Sequence, residues 1–129
     1  MKSKEDVENL EKLIGQLYGL HSEISLLARK SPNDGLNTFK LKLVNKVIAS
    51  GNELLGERYR PFKDFDQFDE DTLPTNSDVT VILAQYMEQT ERFRSLHVAF
   101  HELEWRYVID GKPSDVGATE PRRVGGEKK

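Results

Sequence analysis

Apolar side chains recur three and four positions apart in two long segments of the chain. In the first, about residues 6–30, the repeated positions are Val7, Leu10, Ile14, Leu17, His21, Ile24 and Ala28. In the other, about residues 77–109, they are heavier and more aromatic: Val79, Ile82, Tyr86, Gln89, Phe93, Leu96, Phe100, Leu103 and Tyr107. This spacing lines up one side of an α-helix. We therefore predict a helix over each segment.

A segment between these two, about residues 33–55, is apolar on two adjacent faces. One face carries Leu36, Phe39, Leu43, Val47 and Leu54, and the other carries Leu41, Val44, Ile48 and Leu55. Such a helix must contact two neighbours. Residues 38–44, TFKLKLV, also alternate like a strand, but a strand without a partner strand leaves its edges unpaired. We therefore predict that the segment is helical.

Each helical segment is preceded by a possible capping device. The pairs are Ser3 with Asp6, Ser31 with Asp34, and Thr75 with Asp78. A Ser or Thr side chain accepts a hydrogen bond from a free amide of the first turn, and an acid three positions later favours the positive end of the helix dipole. Gly56 and Gly111 are typical helix stops. These signals predict three helix starts and two ends.

The segment between the second and third helices is too long for a tight turn. Phe62, Phe65 and Phe68 recur every third residue in it, with acids between them. We predict a strap whose rings plug the end of the bundle and whose acids face water. Residues 112–129 have little apolar content and no period, and we expect a flexible, disordered tail. The fold prediction is an all-α bundle of three long antiparallel helices, with a bundle domain at 1–111 and the tail at 112–129.

Composition narrows the class of protein. The 129 residues include 22 acids and 19 Lys plus Arg, a net charge of −3, and no cysteine. This balance argues against nucleic acid as a partner. The lack of cysteine excludes disulfides and thiolate metal sites and is compatible with a reducing cytosol. No stretch approaches the length of a membrane span. We therefore expect a soluble cytoplasmic protein without a membrane partner.

Two of the three histidines lie in the stretch RFRSLHVAFHELEW, residues 92–105. His97 and His101 are four apart, and His21 lies on the first helix. This set is similar to the three-histidine metal site of the DinB-like four-helix bundles, in which an early helix gives one histidine and an H-x₃-H pair comes later. The resemblance implies a divalent metal held by His21, His97 and His101. Our first prediction is nevertheless that the protein holds no metal and no other cofactor.

The same stretch contains Arg92 followed by His97, which resembles the R-x₄-H signature of HEPN ribonucleases. Those are all-helical domains that dimerise to assemble a metal-independent RNA-cleaving site. The resemblance implies that His97 takes part in acid–base chemistry and that Arg92 stabilises charge on the phosphate. On a straight helix the two side chains point in different directions, so they would meet only across a dimer or at a bend. A ribonuclease with Arg92 and His97 as catalytic residues is therefore our alternative hypothesis. Our first prediction is that the protein has no catalytic residues.

The first prediction of function is a non-catalytic interaction or assembly subunit. Gly15 and Gly19 lie on one face of the first helix, where each costs roughly 1 kcal/mol relative to Ala. A close approach by a partner is one reason for them. We predict partner-binding residues at Gly15, Gly19, Phe62, Phe65 and Phe68, with a protein partner or a second copy in a homodimer. In broad composition the chain is similar to small helical subunits of bacterial regulatory, phage or defence assemblies.

Overall fold

The computed structural model describes residues 1–124. Three helices are followed by three strands, in the order α1 Lys4–Lys30, α2 Thr38–Tyr59, α3 Asn76–Ser95, β1 Val98–His101, β2 Glu104–Ile109 and β3 Lys112–Gly117. The strands form an antiparallel sheet in the order β1-β2-β3. The fold is therefore α+β, and the all-α prediction is wrong.

The error lies in the segment predicted as the long third helix. α3 ends at Ser95, and residues 98–109 form β1 and β2 instead of continuing it. In the β1–β2 register, Val98 pairs with Tyr107 and Phe100 with Trp105. Val98 and Phe100 are two positions apart in β1, as are Trp105 and Tyr107 in β2, so these four apolar side chains share one face of the sheet. Gly111, predicted as a helix stop, lies instead in the β2–β3 turn with a φ of 78°.

The predicted disordered tail is also wrong over the described residues. Lys112–Gly117 form β3, and the amide of Ala118 donates to the carbonyl of Trp105. Val124 is buried. The predicted domain boundary at residue 111 falls in the turn between β2 and β3. Residues 125–129 of the predicted tail lie outside the described residues.

The helix caps agree with the sequence at two of the three starts. The Ser3 hydroxyl accepts from the amide of Asp6, and the Thr75 hydroxyl accepts from that of Asp78. Ser31, however, ends α1 instead of starting α2. The N-cap of α2 is Asn37, whose side-chain oxygen accepts from the amide of Lys40. The second predicted cap was therefore assigned to the wrong side of the connecting loop.

Two apolar clusters hold the elements together. The larger lies between the three helices, and its fully buried members include Leu17, Ile24, Leu41, Ile48, Leu83 and Tyr86. The smaller joins α1 to the sheet through Val7, Leu10, Val98 and Tyr107. Leu54 and Phe93 pack against both clusters. The sheet is therefore attached to the same helix, α1, that forms part of the main core.

The strap between α2 and α3 is held to α2 by side-chain amides. Asn45 donates to the carbonyl of Phe68 and accepts from its amide, at 3.0 and 2.9 Å. Asn52 donates to the carbonyl of Phe65. The rings of Phe65 and Phe68 pack on the helical core, whereas Phe62 is more exposed. The strap thus covers α2 with two of its three rings.

Candidate functional groove

A groove of about 840 Å³ lies between α1, β2 and the segment that follows β3. α1 contributes Glu11, Ile14, Gly15 and Tyr18, which are spaced three, one and three apart and so face the same side of the helix. Trp105 and Tyr107 of β2 form the facing wall. The groove therefore combines aromatic walls with an acid on α1.

The base of the groove is a buried ion pair on α3. Arg94 donates to both carboxylate oxygens of Glu91, from Nε at 2.8 Å and from Nη2 at 3.0 Å. Both side chains are about 95% buried, with 5% and 4% exposed. The two residues are three positions apart on one helix, which places them side by side. Two hydrogen bonds in parallel make this pair stronger than a single contact.

The buried pair also binds the chain that follows β3. Arg94 donates to the carbonyls of Thr119 and Glu120, at 3.0 and 3.1 Å. The Arg122 amide donates to Glu91 at 2.8 Å, and its guanidinium lies 3.4 Å from the same carboxylate. The pair is thus hydrogen-bonded to the backbone of residues 119–122 and to the Arg122 side chain. The segment 118–124 is fastened along one side of the groove.

These contacts shift the pKa values of the groups in the groove. Burial raises the pKa of Glu91, but hydrogen bonds from Arg94 and Arg122 outweigh it and lower the pKa overall. The hydrogen bond to Glu91 raises the pKa of Arg94 against the effect of its burial. Burial and the nearby Glu11 carboxylate raise the pKa of Tyr107 to about 12. All three groups therefore keep their ordinary charge state near neutral pH.

The groove already receives one cation from the chain itself. The guanidinium of Arg122 lies 5.4 Å from the centroid of the Tyr18 ring, within the range of a cation–π contact. The hydroxyl of Tyr107 donates to Glu11 at 3.1 Å. Of the five charged side chains that line the groove, three are carboxylates: Glu11, Glu91 and Glu104. The lining is therefore slightly acidic.

The aromatic wall continues to an exposed hairpin end. The ring of Phe100 lies 5.5 Å from that of Trp105, and Phe100 is more than half exposed. Between them the β1–β2 turn holds Glu102 and Leu103, with φ of 51° and 68°. The side chain of Leu103 is 90% exposed. An apolar end of the hairpin thus adjoins the groove.

The predicted partner-binding residues do not form one surface. Gly15 lines the groove, and a Cβ built there or at Gly19 meets no atom within 4 Å. No contact within the described residues therefore explains either glycine. Phe62, Phe65 and Phe68 belong to the strap, which is bonded to α2 rather than to this face of α1.

The structure places the residues of the two alternative sites on different elements. Within residues 1–124, no three His, Asp or Glu side chains are grouped as a metal site, so His21, His97 and His101 stay apart. Arg92 lies on α3, whereas His97 follows the end of that helix. His97 Nδ1 is 2.8 Å from the carbonyl of Phe93, on whose ring the imidazole packs. The motif thus spans a helix-to-strand junction, unlike the all-helical family it resembles.

The principal groove residues were not among the sequence candidates. Three of them carry a signal in the sequence. Trp105 lies within the stretch 92–105 that contains His97 and His101, and Glu91 and Arg94 are opposite charges three positions apart on a helix. Arg122 and Tyr18 carry no local signal, because only the folding of the sheet onto α1 brings them together.

Comparison with models of known protein families, with curated proteins and with solved structures finds no match for this chain. Among the described residues, no helix combines the length and apolarity that crossing a membrane requires.

Proposed function

We propose that the protein is a non-catalytic interaction subunit that binds a basic segment of a partner protein in the groove of Tyr18 and Trp105. The observation that carries the proposal is the combination of aromatic walls with the Glu11 and Glu104 carboxylates in one open groove. A Lys or Arg side chain gains from both, because its charge is attracted by carboxylates and by the faces of aromatic rings.

Gly15 supports this proposal because it keeps the groove open. A glycine within a long helix lowers helix stability by roughly 1 kcal/mol relative to Ala. The residue is exposed, and the space above it is empty. What the missing side chain provides is room in the groove for an occupant.

The charge states near the groove favour binding over proton transfer. A general acid or base works best with a pKa near the operating pH. The shifts at Glu91, Arg94 and Tyr107 all run away from neutrality. Their hydrogen bonds instead hold the segment 118–124 and the wall of the groove in place. The proposal therefore assigns no catalytic residue.

Trp105 allows a direct test, since it is the chain's single tryptophan and lines the groove. Its fluorescence is titrated with a short arginine-containing peptide and with the same peptide carrying glutamate in place of arginine. We expect a saturable change with the arginine peptide alone. Gly15→Gln places a side chain in the groove and should weaken binding at least about tenfold.

Gly19→Gln is the matched control for Gly15→Gln. Gly19 lies one turn further along α1, is equally open, and does not line the groove. Both substitutions raise helix propensity, so both variants should fold. Equal responses to the two peptides, or full binding by Gly15→Gln, would contradict the proposal.

The proposal also includes a cytoplasmic location. Its support is compositional: 32% of the residues are charged, the mean hydropathy is −0.63, and there is no cysteine that an oxidising compartment would pair. Immunofluorescence of the protein at its native expression level tests this part, and a signal confined to the cell surface would contradict it.

A further inference from the structure

α2 carries an exposed stripe that the fold does not use. We call Phe39, Lys42, Leu43, Lys46, Ser50 and Glu53 the α2 stripe; apart from the adjacent Lys42 and Leu43, each follows the one before it by three or four positions, so all six lie on one side of the helix. All six are exposed. The opposite side of α2 buries Leu41, Val44, Ile48 and Leu55 in the core. The stripe is thus a separate face of the same helix.

Two large apolar side chains stand out on this stripe. Phe39 is 72% exposed and Leu43 is 37% exposed. They lie one helical turn apart, so together they form an exposed apolar patch. Charged residues are also available here, because no ion pair engages Lys42, Lys46 or Glu53 within residues 1–124. Protein interfaces combine buried apolar side chains with polar and charged ones at the rim, and the stripe offers both kinds.

The order of charges along the stripe is self-complementary. Lys42 and Lys46 lie in its first half and Glu53 lies at its end, and the sequence has no acid from residue 35 to residue 52. When two copies of such a helix pack antiparallel around a two-fold axis, the basic half of each faces the acidic end of the other. The partner chemistry that fits this surface is therefore its own.

We infer that two copies of the chain associate through the α2 stripes, antiparallel, with the axis beside Ala49 and Ser50. Lys46 and Glu53 lie equally far from the midpoint between those two residues, so this register sets Lys46 of each copy opposite Glu53 of the other. Both pairs form together because the interface is isologous.

The crossing point has the shape that close packing requires. Ala49 and Ser50 are small and exposed, so two helices can approach there without displacing large side chains. A cavity of about 530 Å³ between α1 and α2 opens beside Ser50 and Glu53. The same register sets Phe39 near the end of the other α2, close to where Phe62 is exposed. The apolar residues of the stripe would then be covered at both ends of the interface.

Reciprocal charge reversal tests this register. In a dimer of Lys46→Glu, two carboxylates lie opposite each other at each contact between positions 46 and 53. In a dimer of Glu53→Lys, two ammonium groups lie opposite each other there. We expect the wild-type protein to be a dimer and each variant to dissociate at least about tenfold more readily, because like charges placed opposite each other disfavour association. Sedimentation or light scattering of the full chain measures the mass, and circular dichroism confirms folding.

Mixing the two variants is the decisive step. In a mixed dimer both contacts regain opposite charges, so an equimolar mixture should form dimers that neither variant forms alone. Lys112→Glu, at an exposed lysine of β3 away from α2, is the control and should leave the dimer unchanged. A monomeric wild type, or a dimer indifferent to both reversals, would overturn the inference. Peptide binding at Trp105 is measured separately, so the groove proposal and this one fail independently.

Discussion

The residue on which the local structure around the groove depends most is Glu91. Its carboxylate is the shared acceptor for Arg94 and for the backbone and side chain of Arg122. Removing one member of a buried pair leaves the other charged and uncompensated, which costs more than the pair itself contributes. The identity of this one side chain therefore affects α3, the groove and the segment after β3 together.

We predict that Glu91→Gln lowers the free energy of unfolding by about 3 kcal/mol, because Arg94 then stays buried without a counter-charge. Urea denaturation at neutral pH measures the loss. Glu120→Gln is the control, since that side chain is exposed and should change stability by less than about 0.5 kcal/mol. Equal stability of the two variants would contradict the role given to the pair.

The pH dependence of stability follows from the sign of the same shift. The pKa of Glu91 is lower in the folded state than its ordinary value of 4.5. Its contribution is therefore complete above that value and is lost as the pH falls through the folded pKa. The free energy of unfolding should therefore fall more on acidification for the wild type than for Glu91→Gln. Parallel curves of this free energy against pH would contradict the contribution assigned to Glu91.

At the scale of elements, the two hairpin turns differ in their residues. The β2–β3 turn uses Asp110 and Gly111, both at positive φ, which is a favoured pair for a tight hairpin turn. The β1–β2 turn adopts positive φ at Glu102 and Leu103, where side chains cost roughly 1–2 kcal/mol each. The first turn thus displays Leu103 at the expense of stability, next to the aromatic wall of the groove.

We expect the double substitution Glu102→Asn and Leu103→Gly to raise the free energy of unfolding by about 1 kcal/mol, because Asn-Gly suits this turn. Gly111→Ala, made in the other turn, should lower it by a similar amount since Ala resists the positive φ. Thermal unfolding of both variants measures the changes. A double variant less stable than wild type would show that the Leu103 side chain contributes to folding.

At the scale of the whole molecule, the helical core and the sheet are joined through few side chains. Phe93 and Leu54 pack against both apolar clusters, and the Phe93 ring also contacts Tyr59 edge-on at 5.7 Å. Because α1 contributes to both clusters as well, we expect the helices and the sheet of the wild-type protein to unfold together.

Truncating Phe93 should weaken this connection. We predict that Phe93→Ala lowers the free energy of unfolding by about 3 kcal/mol. The sheet and the helices of this variant should then unfold in two separate transitions. Trp105 fluorescence, which follows the sheet, should change at lower urea than the circular dichroism of the helices. Leu26→Ala, at an exposed position of α1, is the control and should keep the two curves coincident. Coincident curves for Phe93→Ala would show that the coupling runs through other contacts.

Much of the helical half could be predicted from the sequence. The 3-4 spacing, the caps at Ser3 and Thr75 and the two-faced pattern of the second helix are local properties, and α1, α2 and the start of α3 form close to where they indicate. Residues 38–44 alternate like a strand, yet they lie in α2 because no neighbouring strand could pair with them. The availability of neighbouring strands as partners would have favoured strands at 98–117, because three extended segments follow one another there and Asp-Gly marks a hairpin turn.

The sequence by itself determined the first two helices, the start of the third and the apolar residues that form their core, since these depend on neighbours within about one helical turn. Tertiary structure decided where the third helix stops, because Phe93, Phe100 and Tyr107 satisfy a helical spacing while Val98, Phe100, Trp105 and Tyr107 also satisfy an alternating one. Pairing between strands and burial of Tyr107 against α1 favoured the alternating pattern. The groove arose at the same step, because its walls are brought together only when the sheet packs on that helix.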